Sequence, residues 1–477
     1  MTNYKKEKIF AKELNLNKWY TSVLKTANLI SYSLVKGCFF IEPDALTIWE
    51  QVKNNLNQTF KRLKIQNVYF PLLIPGSLFL KEKKMLSSFE KESYQINFLN
   101  KKKLEPPIYL RPTSEALFMH YFSLKLLRSK NMPLILNQWC SVFRYELNSR
   151  PFLRSCEILW QEIHALFSSG VKNRQFVKKI LYVYNNFLQK ICLLPTIIGK
   201  KTNFEKFQGA KSTYTIEVVL VDGKVLQCAT THDFDNYFSK IFALKAFDSF
   251  NKVFFPFTSS MGLSTRVLGA IILNHGDNNG LVLPSKLSLN KIIIISITSK
   301  LEIFNYIKKL KQKLKSFNPI CNLNKVYFGK KISEVEIKGI PIRIEIGAKE
   351  VNTNQISVVV RNNLQRFTLK NDHKLIFNLR LILNKYDQSL YNNLQQKQEK
   401  YFYNINQYQK YKELILKQNI VALVPFCLTI KCETKIKEET MSTSRCIPLK
   451  QKKMTLNQKC FHCQKKAKKY VYFSKSY

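Results

Sequence analysis

Three groups of residues in this 477-residue chain have the types and spacing that chemistry needs. The first is NQWCSVFRYE, residues 137–146, in which Arg144 and Glu146 stand two apart. Read as a strand, the segment puts both side chains on one face. A guanidinium fork beside a carboxylate suits a nucleotide, the fork gripping a phosphate and the carboxylate accepting from an amine. The second group is GLSTR, residues 262–266, running into an apolar stretch that reads as a helix with Arg266 at its start. A second arginine there is placed to hold the other end of a triphosphate. Neither GxxxxGK[ST] nor GxGxxG occurs, so the two common glycine-rich phosphate cradles are not in play. The third group is two close cysteine pairs, Cys427 with Cys432 and Cys460 with Cys463. Such pairs build tetrahedral thiolate sites, for which Zn²⁺ is the default metal. Cys446 and His462 are further candidates, and free buried cysteines are the plain alternative. Taken singly, Arg144 with Glu146 reads equally well as a surface ion pair, and Arg266 as the partner of a neighbour.

The elements that must position these groups are legible in outline. Residues 45–63 carry apolar side chains at helical spacing and lead into NVYFPLLIP, a β-rich run. SKLSLN, residues 285–290, reads as a linker. Beyond it KIIIISIT reads as a buried strand, EIFNYIKKLKQKLKSF as an amphipathic helix, and GIPIRIEIG and QISVVVRN as further strands, the first strictly alternating. Strands alternating with helices predict an α/β module. From about residue 397 a Tyr- and Lys-rich stretch leads to the cysteine pairs.

Composition bounds the class of molecule. Hydrophobic content of 45% is ample for packed cores. Lys and Arg total 77 against 32 Asp and Glu, a net charge of +45, which favours a polyanionic partner. The abundance of Lys, Asn, Ile, Phe and Tyr would follow equally from A/T-biased coding. The 11 cysteines form no secreted disulfide framework, which implies a reducing compartment. The N-terminal residues lack an apolar signal core, and no apolar run is long enough to span a bilayer.

Together with YLRPTSEAL (109–117), PFLRSCEILWQEIHALF (151–167) and KFQGAKSTYTIE (206–217), these segments resemble the prolyl-tRNA synthetases in their eukaryote- and archaeon-like form. Residues 137–146 resemble motif 2 of the class II aminoacyl-tRNA synthetases and residues 262–284 motif 3. The match runs from about Trp19 to Tyr477. The resemblance implies an α+β catalytic domain with an antiparallel sheet of the class II type (1–286). An α/β anticodon-binding domain (287–395) and a small zinc-binding α+β C-terminal domain (396–477) would follow. It implies ATP-dependent attachment of proline to tRNA(Pro) through a prolyl-adenylate, with Mg²⁺ accompanying ATP. It implies a homodimer formed by the helix and strand of residues 45–75, and a cytoplasmic location or the equivalent translation compartment of a reduced genome.

Roles follow residue by residue. Arg144 and Arg266 would carry catalysis, Arg144 holding the α-phosphate and the amino acid carboxylate and Arg266 the γ-phosphate. Glu146 would accept from the adenine amine. Arg154, Gln227, Thr230 and Ser264 would complete the ATP site. Thr113 and Glu115 would accept from the secondary ammonium of proline, with Trp160, Phe207 and His232 walling its ring. The metal ligands would be Cys427, Cys432, Cys460 and Cys463, with Cys446 a bystander. The terminal carboxylate of Tyr477 would reach back toward the active site. Several positions depart from the family: Cys156 stands for an arginine, Cys228-Ala229 for a glycine pair, Met261 for a tryptophan and Ser264 for a threonine. Two other readings compete. Threonyl-, seryl- or glycyl-tRNA synthetases are opposed by RPTSE and the paired cysteines. A non-catalytic RNA-binding paralogue is opposed by the retained Arg144, Glu146 and Arg266.

Overall fold

The computed structural model describes residues 9–81, 93–126 and 132–477. Its spine is an 11-stranded sheet, counted among the described residues. From one edge the order is Gln66–Asn67, Leu134–Phe143, Glu157–Phe167, Phe257–Ser264, Val225–Asp235, Ser212–Val219 and Ile197–Lys200. It then continues through Thr443–Pro448, Lys469–Ser474, Val421–Phe426 and Phe402–Asn404. Neighbours are antiparallel except the outermost pair at each edge. The C-terminal strands therefore extend the same sheet that carries the motif residues. The seam is tight: a Cβ at Gly199 would come 2.5 Å from both Cys446 Sγ and the Ile447 carbonyl oxygen, so only glycine lets the two backbones meet.

Helices back this sheet because their sequences bury one stripe. The helix Pro43–Arg62 has proline in its first turn and Lys61 and Arg62 in its last, and buries Ala45, Ile48, Trp49, Val52, Leu56 and Phe60. Trp49 meets Trp139 of the sheet edge-on at 5.5 Å, and Trp139 Nε1 donates to Asn57 Oδ1 at 3.1 Å. Gly170–Lys190 and Arg266–His275 contribute Phe176, Ile180, Tyr184, Leu268 and Ile271 to the same core.

Residues 291–374 form a second sheet, ordered Ile320–Asn322, Ile292–Ser296, Ile342–Ile346, Gln355–Val360, Arg366–Lys370. The first three strands are parallel and the last two pair antiparallel. The alternation in GIPIRIEIG predicts a strand with one wet face, but all five residues of Ile342–Ile346 are buried. The reason is ionic. Arg343 donates to Glu345 and to Glu336 at 2.9 Å each, and Arg366 adds a further bond to Glu345. The charged face is thus neutralised pairwise and sealed under the helix Phe328–Lys338. Residues 285–290 behave as a docked connection. Ser285 donates through its backbone and its hydroxyl to Asp387 at 2.9 and 2.6 Å, and Arg361 makes a bidentate pair with Asp277 at 2.7 Å.

Candidate active site

The strand Leu134–Phe143 ends one residue before Arg144, so Arg144 and Glu146 do not share a strand face as their spacing suggests. The last cross-strand pair is Phe143 with Glu157. Beyond it the Arg144 amide reaches back to the Cys156 carbonyl, and Glu146 Oε1 accepts from the Asn148 amide at 3.2 Å, closing a turn. Arg144 thereby swings over the sheet. Its Nε donates to the Pro112 carbonyl at 3.1 Å, and its guanidinium lies 5.3 Å from the Trp160 ring.

On this face of the sheet lies a cavity of about 250 Å³. Its lining includes Thr113, Glu115, Arg144, Trp160, Phe207, Gln227, Thr230, His232, Ser264 and Arg266. Four strands bring them together through cross-strand register: Trp160 opposes Ser264, Thr230 opposes Gly262, and His232 opposes both Ser260 and Thr213. Gly262 is required here, because a Cβ would come 2.8 Å from the Gln161 carbonyl oxygen. Two expected residues lie outside the lining. Glu146 stands in the turn beyond the strand, outside the lining. Arg154 donates to the Tyr477 carbonyl oxygen at 2.7 Å, and Arg150 bonds the Tyr477 hydroxyl, so the final residue sits against both arginines.

Thr113 donates to Glu115 Oε2, and Ser260 donates to Oε1 at 3.3 Å. Arg266 opens the helix Arg266–His275, its Nε held by the Leu153 carbonyl at 3.1 Å. Burial, with Arg154 nearby, lowers its guanidinium below the ordinary value. Phe207 and His232 rings stand 4.8 Å apart. Cys228, Ala229 and Met261 are also in the lining, whereas Cys156 is buried away from it with its thiol toward the Lys36 carbonyl.

The structure adds residues that the spacing argument passed over, chiefly Glu162, His164 and Lys201. Ile158, Trp160, Glu162 and His164 recur every second residue along one strand, and that period alone was the available signal. Glu162 is buried, which by itself would raise its carboxyl. Bonds from His164, Ser114 and Gln138 outweigh this and hold it below the usual carboxylate range.

Burial, reinforced by His164, pushes His232 from 6.5 down to about 3, so the ring is neutral near pH 7. The unfolded chain binds this proton more readily than the fold does. Stability is therefore full above about pH 6.5 and is lost as pH falls toward 3. Urea midpoints measured from pH 7 to pH 4 should fall less steeply in His232→Asn than in wild type. Equal slopes would mean that His232 is not held neutral.

The four cysteines meet as the sequence pairs them. All four sulfurs lie within 4.8 Å of one another, with Cys427 Sγ 3.6 Å from Cys432 and 3.7 Å from Cys463. Tetrahedral zinc at about 2.3 Å from each sulfur demands sulfur separations of about 3.8 Å. The donor set fits that ion. Cys446 is not part of the cluster.

Comparison with known proteins accounts for the whole chain. Family models described as "tRNA synthetase class II core domain (G, H, P, S and T)", "Anticodon binding domain" and "Prolyl-tRNA synthetase, C-terminal" match residues 94–275, 291–374 and 408–477. A proline--tRNA ligase of Mycoplasma mycoides subsp. mycoides SC is 42% identical over 472 residues, 99% of either chain. The corresponding ligase of Mesoplasma florum is 40% identical, again over 99% of both. The crystal structure of prolyl-tRNA synthetase from Cryptosporidium parvum, complexed with halofuginone and AMPPNP, superposes with a TM-score of 0.92 at 31% identity. That match covers 98% of this chain and 99% of the other. The identity, the coverage and the three consecutive family matches agree: the chain belongs to the prolyl-tRNA synthetase family.

Proposed function

We propose that this protein attaches proline to tRNA(Pro) in two steps within the 250 Å³ cavity. The carboxylate of proline attacks the α-phosphorus of ATP and pyrophosphate leaves. A ribose hydroxyl at the tRNA 3′ end then attacks the mixed anhydride. The first nucleophile is already an anion, so the site must position and neutralise charge rather than remove a proton. One observation supports this most directly: acceptors for an ammonium and arginines for a carboxylate and phosphates converge on one cavity.

In this reading Thr113 and Glu115 hold the secondary ammonium, and Trp160, Phe207 and neutral His232 wall the ring. Arg144 stands between the two substrates, while Gln227, Thr230, Ser264 and Arg266 receive the nucleotide. Glu146 and Arg154 join at the rim, Arg154 held there by its bond to Tyr477. Gln227, Thr230 and Glu205 are the lining residues whose oxygens would face Mg²⁺ arriving with ATP, which would supply charge neutralisation to the triphosphate. Zinc held by Cys427, Cys432, Cys460 and Cys463 is structural.

We take residues 1–286 as an α+β catalytic domain, 287–395 as the α/β module that reads unstacked anticodon bases, and 396–477 as the zinc domain. A homodimer through Pro43–Arg62 and the strand after it accords with exposed Phe40, Tyr69 and Leu73 nearby. Sedimentation at micromolar concentration should show two chains, and a monomer would exclude this. No described helix is long and apolar enough to cross a membrane. A cytoplasmic location, or the translation compartment of a reduced genome, follows from the reaction.

ATP–pyrophosphate exchange run with each amino acid tests the pocket. Proline should stimulate it most, with alanine and cysteine as weak substrates, since a missing methylene costs only about 1–3 kcal/mol. Greater stimulation by threonine, serine or glycine would overturn the pocket assignment.

A further inference from the structure

A buried charge cluster joins the C-terminal segment to the cavity. Glu217, on the strand Ser212–Val219, is fully buried and is gripped from two sides. Lys201 Nζ and Thr215 Oγ1 each donate to its Oε1 at 2.8 Å. Arg445, on the strand Thr443–Pro448, donates to Oε2 at 2.6 Å and to Thr443 Oγ1 at 3.2 Å. Lys201 is itself a lining residue of the cavity, and Thr215 Oγ1 also approaches Gln227 Oε1 at 3.5 Å. The strand carrying Arg445 is paired through Ile447 to Lys200, the residue before Lys201.

Burial would drive the Glu217 carboxyl up, but Arg445 and Lys201 outweigh it and hold the group down to about 2. The cluster thus sets one carboxylate between two cations, with Glu205 and Glu433 also near Lys201. Its Arg445 Nε is buried and has no hydrogen-bond partner among the described residues. A buried guanidinium Nε with no partner is an exception that calls for a reason beyond packing. The arrangement makes sense for what it does to the cavity.

We propose that Arg445 is a positioning residue for the nucleotide, acting from the C-terminal domain through Glu217. By occupying Oε2 it leaves Oε1 to Lys201 and Thr215. Lys201 is then fixed in the cavity lining that also holds Gln227, a further cation for a triphosphate to meet. Without Arg445 the carboxylate is free to rotate onto Lys201 with both oxygens and draw its ammonium away from the lining. The proposal rests on the assignment of the Gln227–Arg266 side of the cavity to ATP.

The test is the exchange reaction with proline and ATP varied separately, in Arg445→Met, Arg445→Lys, Glu217→Gln, Gln227→Ala and the double variant Arg445→Met with Glu217→Gln. Arg445→Met should raise the KM for ATP about tenfold, the value of one charge-assisted hydrogen bond. The KM for proline should stay at its wild-type value, and Arg445→Lys should recover most of the loss. In the double variant the two changes should combine to less than their product, because both act on one carboxylate. An unchanged KM for ATP in Arg445→Met, equal rises in both KM values, or no recovery in Arg445→Lys would overturn the proposal. If Arg445→Met does not fold, Arg445→Gln takes its place, since it keeps a donor but no charge: a raised KM for ATP is expected, and a wild-type value would refute the role. Gln227→Ala separates the two levels. If it leaves the KM for ATP unchanged, the nucleotide assignment itself fails. If it raises that KM while Arg445→Met does not, the relay alone fails.

Discussion

Arg144→Ala is expected to lose proline-dependent ATP–pyrophosphate exchange by more than about a thousandfold while the protein remains folded. The size follows from where the side chain stands. Arg144 lines the cavity with Thr113, Glu115 and Arg266, its guanidinium over Trp160 and its Nε tied to the Pro112 carbonyl. The fork so held meets both reactants: the carboxylate that attacks and the phosphate that is attacked. One preorganised charge contact in sites of this type is worth roughly 3–4 kcal/mol, and here two contacts are lost together. The fold should survive, because the side chain anchors no core cluster and the strand before it is fixed by ten residues of antiparallel pairing to Glu157–Phe167. Near-normal exchange in a variant with wild-type melting would remove Arg144 from the mechanism.

Zinc is the second large effect. Purified protein should carry about one zinc per chain, and Cys460→Ser should weaken its retention by more than about a hundredfold, since an open three-thiolate site holds the ion poorly. Cys427 follows the strand Val421–Phe426, Cys432 lies on the helix Ile430–Thr440, and Cys460 and Cys463 flank Phe461 of the returning loop. The ion would close that loop onto the strand, where the Phe461 amide already bonds the Pro425 carbonyl at 2.9 Å. Tyr477 and Arg445 belong to the same segment, so aminoacylation should fall with the metal through lost docking of Tyr477 on Arg150 and Arg154. Wild-type protein without zinc but fully active would refute the site.

How much of this was written in the chain itself differs from part to part. The sequence by itself determined the family, through RPTSE, FRYE and GLSTR in order, and the resemblance named ten of the residues that line the cavity. Arg144 and Arg266 have a type and setting that suit a nucleotide, whereas Trp160, Phe207, His232, Gln227 and Thr230 were named by their match to the family. The paired cysteines were equally legible, since four sulfurs with no disulfide partners have few other uses in a reducing compartment. Helices such as Pro43–Arg62 were legible because one stripe of apolar residues and charged ends encode them locally.

Three things were decided only by tertiary structure. The strand before Arg144 stops at Phe143 because its partner begins at Glu157, a fact of pairing that period-two spacing does not carry. Ile342–Ile346 is buried on both faces because Glu336 and Arg366, distant in sequence or on another element, neutralise Arg343 and Glu345. Glu217, Lys201 and Arg445 are unremarkable charges along the chain and become one cluster only where the Thr443–Pro448 strand joins Ile197–Lys200. Local pattern fixes which residues form an element, because propensity and burial act over a few residues. Which charges must share a dry space depends on contacts across more than two hundred residues, and only the folded sheet makes those.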